Sequence, residues 1–464
     1  MPKKPNILFI MSDEHDPAVT GCYGDKLVQT PHLDELAAGG VTFDAAYCNS
    51  PLCVPSRLSF TAGKYVSRCG AWNNECRLPS DDYPSLPRLL TAAGYDALLC
   101  GKQHYDAAHR YGFTDLYPAA NNHAHMNGRG TRRAPDDFTP DFDNWRGRAQ
   151  HFHVGNRSAV LDHDRQVTEE VCRFLMHRDR GDKLFFLFLG YLAPHFPLIA
   201  PQPYAERYLG QVPLPNVPDG LLDRLPTNYK HLRAGFGLAE AEGDIVQTGR
   251  DMYWALTHWL DHHLGMILTV LRQSPAADNT IIIYTSDHGE NKGDHGLWWK
   301  NCMYEHAARV PLIVNWPQRW SGGQRRTGVC SLVDMVQTLI NLTGAHAGDD
   351  WEGDSLLPYL DDGTSPWKDF ALSEYYGHNI ASGYTMLRQG PWKYVYHARM
   401  DDHHPPEAEL YDLATDPGEF GNLAGDATQA HRIKQMHAAL VKQLGADPDE
   451  NELRCRADFA KGYE

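Results

Sequence analysis

The sequence predicts a doubly wound α/β domain followed by a smaller α+β domain. Short apolar runs alternate with amphipathic stretches, as in a largely parallel sheet wrapped by helices, and polar clusters follow several of the runs directly. After about residue 370 the texture changes to short aromatic segments. The first strand is expected over 6–11, apolar from Ile7 to Met11 and stopped by Ser12-Asp13. Amphipathic stretches at 31–38 and 85–93 read as helices, and the run at 95–101, closed by Gly101, as the next strand. A helix over 166–177 then leads to a strand over 183–192, and a long helix over 244–272 leads to a strand over 280–286. A strand over 310–316 and a helix over 332–342 complete the series. Farther on, 384–387 and 393–397 read as antiparallel strands and 430–444 as a closing helix, which divides the chain into 1–370 and 371–464. Residues 117–165 and 200–240 are polar and weakly periodic, and are expected as long insertions near the mouth of a site.

Composition narrows the function classes. With 464 residues, 42% hydrophobic, 11% aromatic and 22% charged, the chain can bury a sizeable core and resembles neither a disordered polymer nor a disulfide-stapled mini-domain. A net charge of −16 disfavours binding to nucleic acid or to an anionic membrane surface, so an anionic substrate would need a local basic pocket. The apolar stretches fall short of the ~20 residues that span a bilayer, and a cytoplasmic location is expected. Ten cysteines without zinc-ribbon spacing read as packed thiols. Cys69 and Cys76 are near enough in sequence to meet, but reduced residues are the expectation. The sequons at 156–158 and 341–343 are chance matches in such a protein.

Ligands of open α/β sheets bind outside the carboxyl ends of the strands, and those junctions carry the chemistry here. Asp13 and Glu14 follow the first strand and Asp287 and His288 the 280–286 strand, an oxygen-rich set that could gather around one divalent cation. Lys102 and His104 follow the 95–101 strand, and His195 the 183–192 strand. Cys53 stands four residues before Arg57 at what could be a helix start, where a thiolate would be activated. On the segment 50–57 alone, a packed cysteine is the better expectation.

Cys53-Val54-Pro55-Ser56-Arg57, after an opening Asn-Ile-Leu-Phe-Ile-x-x-Asp at 6–13, resembles the type I, formylglycine-dependent sulfatases of the alkaline phosphatase superfamily. The match continues through Gly101-Lys102-Gln103-His104, Pro194-His195-Phe196-Pro197, Ser286-Asp287-His288-Gly289 and 293–300, and reaches Glu409-Leu410-Tyr411-Asp412. The resemblance implies an alkaline-phosphatase-like fold, a large mixed and mostly parallel sheet flanked by helices, with a smaller C-terminal α+β domain. It also implies hydrolysis of sulfate monoesters, with arylsulfatase-like activity on test substrates. Cys53 would be oxidised by a separate formylglycine-generating enzyme. The hydrated aldehyde offers one hydroxyl to attack sulfur and a second whose deprotonation expels sulfate. By the same resemblance Asp13, Glu14, Asp287, His288 and the modified Cys53 hold the cation, calcium being expected and manganese or magnesium the alternatives. Arg57 would stabilise the nucleophile, His104 would act as base, and Lys102, His195 and Lys300 would hold sulfate oxygens. A homo-oligomer is expected from relatives with similar cores.

The sequence departs from the family at three places. Asp13-Glu14 stands where Asp-Asp or Asp-Gln is frequent, His288 where many members have Asn, and Thr61-Ala62-Gly63-Lys64 where Leu-Thr-Gly-Arg is common. Two other functions compete: a phosphonate monoester or phosphodiester hydrolase with the same nucleophile and metal, and a metal-stabilised scaffold with Cys53 unmodified. Relatives with phosphonate-ester activity tend to lack the Lys-x-His arrangement seen at Lys102 and His104, so the resemblance favours sulfate, and the full set of Lys102, His104, His195 and Lys300 speaks against a scaffold. His262 and His263 face different sides of one helix and make poor ligands for one metal. His403 and His404 read as an exposed loop, Asp361 and Asp362 as a solvated turn, and Trp298 and Trp299 as core or pocket rim.

Overall fold

The apolar run that opens the chain becomes the central strand of the main sheet, β1 (Asn6–Asp13), in the computed structural model, which describes residues 4–106, 108–118, 132–140, 145–179, 181–241 and 243–462. Alternate β1 side chains enter two cores, Leu8 and Ile10 on one face and Ile7, Phe9 and Met11 on the other. Because both faces are covered, the strand is apolar throughout. The same sheet holds β2 (Val41–Tyr47), β3 (Asp96–Gly101), β4 (Thr114–Pro118), β6 (Phe185–Pro194), β8 (Thr280–Ser286), β9 (Arg309–Asn315), β10 (Gln324–Arg326) and β11 (Cys330–Ser331). A separate two-stranded ribbon pairs β5 (His153–Val154) with β7 (Ile199–Ala200).

The strand order is β10-β2-β9-β8-β1-β6-β3-β4, with β11 also on β2. Among the described residues only β9 runs against its neighbours in this sheet, β8 and β2. The chain leaves β8 at the site end and returns beside it without the crossover a parallel strand requires. Register brings the carboxyl ends of β8, β1, β6 and β3 together: Ser12 faces Ser286, Asp13 faces Pro194 and Gly101 faces Gly190. The helices Ala159–Met176 and Gly243–Gln273 cover the Leu8 face. The helices Cys53–Ala62, Leu86–Ala92 and Leu332–Thr343 cover the other, where Phe9 packs on Phe60 at 4.9 Å and Phe188 at 5.4 Å.

A second, antiparallel sheet is built in sequence order from β12 (Phe370–Tyr375), β13 (Tyr384–Gln389), β14 (Trp392–His397) and β15 (Glu407–Asp412). Leu372, Leu387 and Leu410 on one face pack on Met436, Leu440 and Leu444 of the helix Ala430–Leu444. Tyr375, Tyr384, Met386 and Val395 on the other join the main core.

Several expectations change. The helix placed at 166–177 begins at Ala159, because Ser158 Oγ accepts from Leu161 N at 3.1 Å and caps it. The helix Pro448–Lys461 and strands β2, β12 and β15 had no clear apolar period. The 200–240 stretch is no bare insertion, since it contains the helix Thr227–Gly235 with Tyr229 and Leu232 in the core. Of the insertion at 117–165, residues 119–131 and 141–144 lie outside the described residues. Cys69 and Cys76 both remain thiols. Among the described residues no helix is long and apolar enough to cross a membrane.

Candidate active site

Four strand ends and one helix start converge at β1. Asp13 closes β1, Lys102 follows β3, His195 follows β6 and Asp287 follows β8. Cys53 is the first residue of the helix Cys53–Ala62, whose Val54, Leu58 and Phe60 anchor it in the core. Glu14 (φ 67°) and His104 (φ 60°) adopt left-handed backbone, as do Trp299 (φ 67°) and Asn301 (φ 79°) on either side of Lys300. Residues with a Cβ enter that region at a cost, and such strain concentrates at functional positions.

Asp13, Cys53, Asp287 and His288 present donor atoms within 4.8 Å of one another, and all four are buried. His288 Nε2 lies 3.2 Å from Cys53 Sγ, 3.7 Å from Asp13 Oδ1 and 3.6 Å from Asp287 Oδ1. Because His288 Nδ1 lies 3.0 Å from the Gly289 carbonyl and donates to it, the lone pair of Nε2 faces this cluster. Burial first, reinforced by Lys300, draws His288 down to about 4 against the pull of Asp287, so it is neutral as a ligand must be. Two carboxylates and a neutral imidazole suit a divalent cation. An oxygen in place of the Cys53 sulfur would tilt the set toward calcium, magnesium or manganese. Glu14 stands apart from these four and groups instead with Asp13 and His195. Both its carboxylate oxygens are buried, with Lys300 Nζ 2.9 Å from Oε1 and His195 Nε2 3.4 Å from Oε2 but neither in good hydrogen-bond geometry, which leaves lone pairs available to a cation.

The cations are arranged around the carboxylates. Lys300 Nζ lies 2.9 Å from Glu14 Oε1 and donates to His195 Nε2 at 3.1 Å. Lys102 Nζ contacts Asp13 Oδ2 directly. Arg57, fully buried, donates from Nε to Asp287 Oδ2 at 2.8 Å and from Nη1 to the Lys102 carbonyl at 2.8 Å. Arg57 therefore acts on the site by fixing Asp287 and the Lys102 turn. Burial opposes ionisation of Asp287, yet the charges of Arg57 and Lys102 outweigh it and hold the carboxyl far below its ordinary range.

Burial, with Lys300 and Lys102, keeps His195 neutral. Its Nδ1 lies 2.5 Å from the Phe196 carbonyl, so Nε2 accepts from Lys300. His104 is also neutral through burial and the charges of Lys102 and Arg57, and its buried Nδ1 has no partner. A neutral imidazole can take a proton, as a base must.

The thiol is packed, as the residues around it taken alone suggest, and is not activated. Burial, helped by Asp287 and Glu14 and opposed by Lys300, pushes Cys53 up to about 12, so the helix start and Arg57 do not yield a thiolate. An unmodified Cys53 is a poor nucleophile.

Sequence reasoning missed the groups that hold this set in place. Ser56 Oγ donates to the Asp287 carbonyl at 2.7 Å, and Asn74 Oδ1 accepts from Val54 N at 3.0 Å. Asn301 Nδ2 donates to Tyr375 Oη at 2.8 Å, and Asn301 N to the Pro51 carbonyl at 3.1 Å, tying the Lys300 segment to the Cys53 helix and the second sheet. Of these, Ser56 carried a signal, being inside the cysteine motif. Trp298 and Trp299 are buried, and His263 bonds Thr168 Oγ1 at 2.9 Å away from the site.

A family model described as Sulfatase matches residues 5–345, and one described as N-sulphoglucosamine sulphohydrolase, C-terminal, matches 293–445. The chain is similar to an N-acetylglucosamine-6-O-sulfatase of Bacteroides thetaiotaomicron, 28% identical over 97% of this chain and 88% of that protein. It is also similar to a choline-sulfatase of Rhizobium meliloti, 30% identical over 91% of this chain and 82% of that one. Among solved structures, the phosphonate monoester hydrolase of Agrobacterium radiobacter superposes with a TM-score of 0.75 at 22% identity, over 95% of each chain. At that identity the superposition speaks to the fold.

Proposed function

The chain belongs to the sulfatase family, and from that premise we propose that it hydrolyses sulfate monoesters at Cys53 after conversion of that residue to formylglycine. The observation that carries this reading is the placement of Cys53 Sγ 3.2 Å from His288 Nε2 and 3.7 Å from Asp13 Oδ1, at the start of the buried helix Cys53–Ala62. Asp13, Glu14, Asp287 and His288 would hold a divalent cation, with the converted Cys53 as a further ligand. Bound there, the ion would polarise a sulfate oxygen and lower the pKa of the hydrated aldehyde, whose two hydroxyls serve attack and release.

The chain's own residues do the rest. Lys300 and Lys102 stand where they can bind sulfate oxygens, and together with a divalent cation they would give a locally positive field on an acidic protein. Neutral His195, its Nε2 beside Lys300, is placed to hold a sulfate oxygen or relay a proton toward the leaving alcohol. His104, neutral and with a free buried nitrogen, is placed to receive the proton on release of sulfate. Arg57 keeps Asp287 ionised and the Lys102 turn fixed.

Protein co-produced with a formylglycine-generating enzyme tests the reading. The tryptic peptide 27–57 is expected to carry the aldehyde, and the protein to turn over an aryl sulfate. Cys53→Ala should abolish turnover and, in metal-free protein, leave the melting curve unchanged. Full activity with a retained thiol, or a preference for aryl phosphonate over sulfate by orders of magnitude, would overturn it.

A further inference from the structure

His195 reaches the site from an irregular end of β6. Met11 pairs with Gly190, but Asp13 pairs with Pro194, so two steps along β1 correspond to four along β6. The extra residues form a bulge that takes backbone groups out of the ladder. Buried N–H groups left in that way need acceptors. Here one side chain supplies both: Asp164 Oδ1 accepts from Leu192 N at 2.8 Å, and Oδ2 accepts from Ala193 N at 2.8 Å. Asp164 projects from the helix Ala159–Met176 and is fully buried, with His163 Nδ1 2.6 Å from its Oδ1. His195 N then donates to the Leu192 carbonyl at 2.9 Å, which closes the turn on the residue that Asp164 clamps. From that turn the imidazole presents Nε2 to Lys300 Nζ at 3.1 Å.

We propose that Asp164 is a positioning residue for His195, its carboxylate fixing the β6 bulge so that the imidazole faces Lys300 and the sulfate. The inference rests on the sulfatase reading of the site. A helix cap or a β-ladder would satisfy one N–H at a time, whereas a carboxylate with one oxygen on each of two successive N–H groups sets the direction of the following turn. Asn at this position keeps the shape but replaces one acceptor by a donor that opposes an N–H.

A double-mutant cycle on an aryl sulfate separates this role from a general loss of stability. Asp164→Asn is expected to lower kcat/KM by about tenfold or more in the parent, and to change it by less than about twofold in a His195→Ala background. Like His195→Ala, it should make kcat/KM more sensitive to the pKa of the leaving phenol. Asp164→Glu keeps both acceptors one methylene farther out. It goes through the same cycle with the same expectation, and serves if the Asn variant does not accumulate folded. Equal losses in the two backgrounds would overturn the proposal while leaving the sulfatase reading intact. A parent, converted at Cys53, that hydrolyses no sulfate ester would overturn both.

Discussion

Arg57 shows how one residue can be legible in the sequence and yet do something other than expected. The Cys-x-Pro-Ser-Arg spacing marks it, but the expected partner was the nucleophile, and the structure gives it Asp287, with Asp13 Oδ2 3.7 Å from Nη2. Removing one partner of a buried ion pair costs ~3–5 kcal/mol because the remaining charge is stranded. Arg57→Ala should therefore lower the unfolding free energy of metal-free protein by about 3 kcal/mol or more. Denaturant titration checks this, and a loss below about 1 kcal/mol would mean that Asp287 finds its compensation elsewhere. Arg57→Lys should lose part of the same stability, since an ammonium cannot serve Asp287 and the Lys102 carbonyl in one fixed fork. The sequence could not show the elevated pKa of Cys53, because spacing reveals a nearby arginine and a helix start but not complete burial. For the same reason Glu14 was expected beside Asp287 and His288, while its left-handed backbone turns it toward Lys300 and His195.

At the level of elements, the strands buried on both faces were easy to read and the others were not. β1, β6 and β8 are continuous apolar runs, whereas β12 carries Ser373 and Glu374, both fully buried, within a six-residue strand. Glu374 is buried with one remote and one local partner: Ser67 N donates to Oε2 at 3.0 Å, which ties β12 to the short helix Val66–Cys69, and the nearby Tyr376 Oη donates to Oε1 at 3.1 Å. Ser67 lies 307 positions away in sequence, beyond the reach of any local pattern. Burial pushes the Glu374 carboxyl up to about 7, against the opposing hydrogen bonds. A raised carboxyl pKa means that the folded state keeps a proton the unfolded state has lost. The stabilising contribution is thus full below the ordinary value of 4.5 and disappears as pH rises through about 7. Glu374→Gln, permanently neutral, should match the parent near pH 5 and exceed it near pH 8 by up to ~3 kcal/mol. Unfolding free energies at the two pH values decide this, and identical pH dependence in parent and variant would show that Glu374 is ionised in the folded protein.

For the whole molecule, the central fact is that a chain with a net charge of −16 brings three carboxylates, Asp13, Glu14 and Asp287, to one point of the sheet. Arg57, Lys102 and Lys300 offset them in pairs, so these side chains by themselves are near neutrality, and a divalent cation would make the cluster attractive to an anionic ester. The residues come from positions 13 to 300, and the second sheet adds Tyr375 and Tyr384, whose hydroxyls hold Asn301 next to Lys300. The parts of this plan that follow strand ends were legible in the sequence. The clamp from the second sheet was not, because a tyrosine hydroxyl bonding a loop amide leaves no periodic trace. If the cation binds only the native assembly, it must stabilise the fold by RT ln(1 + [ion]/Kd), about 4 kcal/mol at a thousandfold excess over Kd. Chelation should accordingly lower the melting temperature, and re-addition of the ion should restore it in proportion to the logarithm of its concentration. The state of Cys53 should set which ion restores it best. With a sulfur donor the cluster suits zinc, and with an oxygen donor it suits calcium, so conversion at Cys53 should raise the stabilisation by calcium relative to zinc. Melting curves of converted and unconverted protein titrated with each ion measure that ratio. An unchanged ratio would place the cation away from Cys53, on Glu14 and His195, and would separate the metal from the nucleophile.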